Sequence, residues 1–64
     1  MNKEIEAYKY ALRKIKSTRT SLIAVMDKDP KIMPSYNQAI RFAISLIDQD
    51  IDSIEFQINL LEMS

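Results

Sequence analysis

Residues 37–61 read NQAIRFAISLIDQDIDSIEFQINLL. Within this stretch Asn37, Ile40, Ile44, Ile47, Ile51, Ile54, Ile58 and Leu61 recur in steps of three and four, the spacing of a heptad seam along one side of an α-helix. Isoleucine is a middling helix former and favours strands elsewhere, so propensity alone does not decide the fold. Period does. Strand alternation would put Asp48, Asp50 and Asp52 on one face, whereas a helix spreads them around the cylinder.

Towards the N-terminus the pattern stops at Asp27-Lys28-Asp29-Pro30-Lys31-Ile32-Met33-Pro34, which holds both prolines of a glycine-free chain. Before that break a second seam appears: Met1, Ile5, Tyr8, Leu12, Ile15, Arg19, Leu22 and Met26, again in threes and fours. Asn2 is placed to cap this first helix, with Glu4 and Glu6 at its positive end. Ser35-Tyr36-Asn37-Gln38 has the form of a capping box for the second. The expected architecture is all-α, a single antiparallel two-helix hairpin over 1–64. Helix 1 spans about 3–27, the loop 28–35 and helix 2 about 36–62, so each helix is roughly 40 Å long. Folding about residue 31 sets Leu12 near Ile51, Ile15 near Ile47 and Arg19 near Ala43. Ile32 and Met33 are expected to cap the open end, with a small apolar contact surface as the alternative, and Tyr8 to join the core.

Helix 2 carries more apolar surface than one neighbour can cover. With the isoleucine seam at 0° and about 100° per residue, Arg41, Asp48, Asp52, Glu55 and Asn59 gather on one side. The opposite side holds Ala39, Phe42, Leu46, Phe56, Leu60 and Met63. A single partner helix cannot reach round to them, and contiguous exposed apolar stripes are uncommon. A chain of 64 residues without cysteine or histidine also lacks disulfide and zinc staples, and a core of this size supplies only roughly 3–5 kcal/mol. Both considerations point to a homodimer forming a four-helix bundle, with a hetero-complex as the next choice. In length and plan the chain resembles the plasmid-copy-number hairpin family typified by Rop. Those hairpins dimerise and hold paired RNA loops, so the resemblance implies a dimer and an RNA-binding alternative. It rests on architecture, and no binding residue is carried over from it.

Catalytic chemistry is poorly supplied. Without His or Cys the usual near-neutral base and strongest nucleophile are missing, and without glycine no loop can cradle phosphate. The chain is expected not to be an enzyme and to hold no cofactor or metal. Asp48-Gln49-Asp50-Ile51-Asp52 opens like a calcium loop, but Ser53 stands where the turn glycine belongs and Asn59 where the bidentate glutamate belongs. A solvated acidic face is the better reading.

Formal net charge is zero, yet residues 1–28 carry seven Lys/Arg against three acids, while 35–64 carry one against five. Lys9, Arg13 and Lys16 share a face of helix 1, and Asp48, Asp52 and Glu55 form a matching acidic set. Surface pairs of this kind contribute little energy, and support within one hairpin is the simplest role for them. Tyr10 with Lys14 offers an interface anchor. Arg19 interrupts an otherwise apolar seam. It either fixes register there, reaches a partner's carboxylate, or runs its aliphatic stem out to solvent.

These features predict a small protein–protein interaction module of phage or bacterial regulatory type. It would self-associate through Ala39, Phe42, Leu46, Phe56, Leu60 and Met63. It would inhibit or regulate a larger protein through Lys9, Tyr10, Arg13, Lys14, Lys16 and Arg19. The alternatives are a Rop-like dimer binding RNA or DNA through the basic face, and a scaffold subunit. A cytoplasmic location is expected from the absence of cysteine, of a secretory signal and of any apolar run near the ~18 residues of a membrane span.

Overall fold

The isoleucine seam lies along one face of a single long helix. The structure, a computed structural model, describes residues 2–26, 28–29 and 31–63. It contains two helices, α1 (Lys3–Val25) and α2 (Pro34–Met63), and no strand among the described residues. They fold back on each other as an antiparallel hairpin measuring 49 × 15 × 11 Å. The long dimension is set by the 30 residues of α2, about 45 Å at 1.5 Å per residue.

The start of α1 follows from its cap. Asn2 is extended (φ −87°, ψ 111°), and its Oδ1 accepts the Glu4 N–H at 2.9 Å and the Ile5 N–H at 3.3 Å. Two of the helix's four orphan donors are thereby satisfied, and Glu4 and Glu6 sit in the positively polarised first turn. The helix stops at Val25, short of the expected 27, because Met26 turns extended (φ −67°, ψ 144°). The Val25 carbonyl, freed at that end, accepts the Tyr36 hydroxyl at 2.9 Å, which ties α1 to the first turns of α2. The end at Asp27 and the break at Pro30 lie outside the described residues, as does the first seam member, Met1.

Asp29 organises the turn. Its carbonyl accepts the Ile32 N–H at 3.1 Å and its carboxylate accepts the Lys31 N–H at 2.9 Å. α2 then begins at Pro34, two residues before the expected start. Proline suits the first helical position, since its φ is already helical and the N–H it lacks would have been an orphan. Ser35 is consequently inside the helix and cannot act as the capping residue. The Asn37 N–H bonds the Met33 carbonyl at 3.0 Å, so Met33 stands at the cap.

Burial follows the two seams closely. In α1, Ile5, Tyr8, Leu12, Ile15, Arg19 and Leu22 are half-buried, joined only by Ala11, and Met26 continues the row beyond the helix. In α2, Asn37, Ile51 and Ile58 are buried, and Ile40, Ile44, Ile47, Ile54 and Leu61 are half-buried beside Ala43 and Asp48. The resulting core is thin: among the described residues the only buried apolar side chains are Ile51 and Ile58. The most buried side chain is polar Asn37, at 2% exposure, near the loop end, and no buried side-chain polar atom lacks a partner among the described residues. Ile32 and Met33 do not close that end as expected. Both are exposed, because the turn built on Asp29 carries them outward.

Candidate interaction surfaces

Arg19, the polar member of the α1 seam, is joined to its own chain. Its Nε donates to Asp48 Oδ1 at 2.6 Å, and this is the one ion pair among the described residues. Ala43, the expected neighbour, lies five residues from Asp48, about 7.5 Å along the helix. Side-chain direction closes that gap. Each Cα–Cβ bond leans towards its own helix's N-terminus, and in an antiparallel pair the two leans converge. Both side chains remain substantially exposed, 40% for Arg19 and 48% for Asp48, so the guanidinium leaves the seam along its aliphatic stem and meets the carboxylate at the rim. Residue spacing alone does not reveal this pair; spacing combined with the N-terminal lean does.

The Arg19–Asp48 contact also fixes which edges adjoin. The acidic set Asp48, Asp52 and Glu55 lies on the same edge of the hairpin as Lys9, Arg13 and Lys16. Those three cations form no ion pair with it. Nearby, the exposed Tyr10 ring has the Arg13 guanidinium 5.9 Å and the Lys14 ammonium 5.3 Å from its centroid, a double cation–π arrangement. Glu6, Lys9, Tyr10 and Arg13 line an open hollow of about 480 Å³ on the outer surface of α1. Thr18 and Thr20 turn their hydroxyls back to the Lys14 and Lys16 carbonyls at 3.0 and 3.2 Å, so neither presents its donor outward.

The outer side of α2 is the larger surface. Ala39, Phe42, Leu46, Phe56, Leu60 and Met63 are all exposed, with Phe42 at 67% and Phe56 at 60%. The polar Gln49 and Ser53 fall in line with them and are exposed too. Positions 39, 42, 46, 49, 53, 56, 60 and 63 thus make a second complete heptad seam, opposite the isoleucine one, with apolar ends and a polar centre.

The whole molecule registers this surplus. Its accessible surface is 5098 Å², about 850 Å² above the ~4,250 Å² typical of a compact chain of 7.5 kDa. Its radius of gyration is 15.1 Å against about 11 Å for a globular chain of this length.

Among the described residues no group of three or more acidic side chains converges as a metal site. Among the described residues no helix is long and apolar enough to cross a membrane. No family model, curated protein or solved structure matches the chain.

Proposed function

We propose that this chain is a non-catalytic interaction module that self-associates through the outer seam of α2 and presents α1 to a larger protein target. The observation that carries the reading is the exposed heptad of Phe42, Leu46, Phe56 and Leu60 opposite the core seam. The surplus of about 850 Å² that the whole elongated chain exposes over a compact one is of the order of the ~800 Å² each partner buries in a standard protein–protein interface. With the apolar seam used for assembly, the surface left for a target is the basic and aromatic side of α1: Lys9, Tyr10, Arg13, Lys14 and Lys16. Arg19 contributes less, since its Nε is held by Asp48. A protein target is favoured over nucleic acid because Asp48, Asp52 and Glu55 line the same edge and would repel phosphate.

Light scattering after size exclusion tests the assembly. The wild-type chain should run as a dimer near 15 kDa, twice the 7.5 kDa chain. The Phe42→Asp, Phe56→Asp double variant should run as a helical monomer. A wild-type monomer across the accessible concentration range would remove self-association from the reading. For the target surface, mobility-shift assays at low salt should show no RNA or DNA binding, and tight, salt-sensitive binding would transfer the function to the nucleic-acid alternative.

A further inference from the structure

We infer that the outer seam of α2 is covered by α2 of a second copy running parallel to it, so that the four helices lie in a row with α1 outermost on both sides. The inference rests on the self-association reading and adds the occupant's identity and direction. A helix with apolar seams on opposite sides is built to lie between two helices rather than at the corner of a square. One of those neighbours is α1. The other must offer apolar ends and a polar centre at the same spacing, and α2 itself does.

Direction follows from the layers and their flanks. A parallel pair sets each seam residue against its own copy, placing Phe42 on Phe42, Phe56 on Phe56 and the Gln49 amides where they can bond each other. The antiparallel register that keeps polar on polar centres between Gln49 and Ser53. It also pairs large apolar residues, Phe42 with Leu60 and Leu46 with Phe56. The flanking charges separate the two arrangements. In the antiparallel pair Asp50 faces Asp50 of the second copy and Asp52 faces its Asp52, one like-charge contact on each side of the centre. In the parallel pair Asp52 falls beside Gln57 of the second copy and Asp50 beside its Ser45, and no like charges meet. Polar layers such as those of Gln49 and Ser53 amid apolar ones are also a known way of fixing register and direction in such pairs.

Because the chain has no cysteine, single introduced thiols report direction cleanly. Gln49→Cys and Ser53→Cys would each be equilibrated in a glutathione redox buffer, separately and as a mixture, alongside light scattering of the reduced proteins. The expected result is that each variant alone converts to a disulfide-linked dimer. The antiparallel register offsets each of these positions from its copy by about 6 Å along the axis, pushing the Cα atoms beyond the ~7 Å a disulfide can span. Linkage confined to the mixture would therefore establish the antiparallel arrangement and overturn the inference. Dimers by scattering without any linkage would leave self-association standing and place it on another surface. Monomers by scattering would remove both.

Discussion

Arg19 shows how a heptad position can be legible while its chemistry is not. The spacing puts residue 19 on the core seam, and its half-buried state agrees. The partner, Asp48, sits outside the level that spacing assigns, because two side chains leaning in opposite senses bridge it. Energetically the pair is modest. With both side chains more than a third exposed, solvent screening limits it to well under about 1 kcal/mol. Replacing Arg19 with Leu would restore an apolar seam and bury a branched side chain against Ala43 and Ile44. Arg19→Leu should therefore raise the urea midpoint, by up to about 1 kcal/mol in stability, whereas Asp48→Ala should lower it slightly. A clear loss in Arg19→Leu would instead mark the arginine as a register-fixing residue. Tyr36 gives a second case at this scale. Its hydroxyl satisfies the Val25 carbonyl at an exposed helix end, so Tyr36→Phe should cost about 0.5–1 kcal/mol with helicity retained by circular dichroism.

At the scale of the elements, periodicity carried nearly all of the fold. Each described member of both seams is buried or half-buried, and only Ala11, Ala43 and Asp48 join them. Boundaries were less legible because they depend on local competition. Pro34 starts α2 ahead of the Ser35 box, and Met26 leaves α1 before its apolar pattern runs out. The exposure of Phe42 and Phe56 on the side away from α1 was readable from the helical wheel. The continuity of their stripe through Gln49 and Ser53 was hidden by polar chemistry. The two faces of α2 make opposite predictions under mutation. Ile51, 8% exposed, is central to the α1 contact, so Ile51→Ala should cost about 2–4 kcal/mol and unfold a hairpin with so thin a core. Far-UV circular dichroism with urea titration would read this directly. Gln49→Leu on the outer face should instead strengthen the dimer and loosen its preference for one direction. Analytical ultracentrifugation would report the tighter association, and unchanged association in that variant would place residue 49 outside the interface.

For the whole molecule, stability and assembly are expected to be coupled. A hairpin with two buried apolar residues among those described, and a surplus of about 850 Å² of surface, has little of its own with which to offset chain entropy. If burial of the outer seam supplies the missing stabilisation, folding is bimolecular and the melting temperature depends on concentration. A hundredfold rise in concentration adds about 2.7 kcal/mol per dimer, which for a domain of this size corresponds to a shift on the order of 5–10 °C. Thermal melts of the wild-type chain over that range should show the shift. The Phe42→Asp, Phe56→Asp variant should melt lower and at one temperature throughout. Salt separates the apolar contribution from the charge asymmetry of the two helices. Screening weakens exposed pairs such as Arg19–Asp48 but leaves apolar burial intact, so the concentration dependence should persist at high ionic strength. Loss of that dependence on adding salt would mean that attraction between the basic α1 and the acidic α2 holds the copies together, and that the Phe42 stripe is kept for another protein.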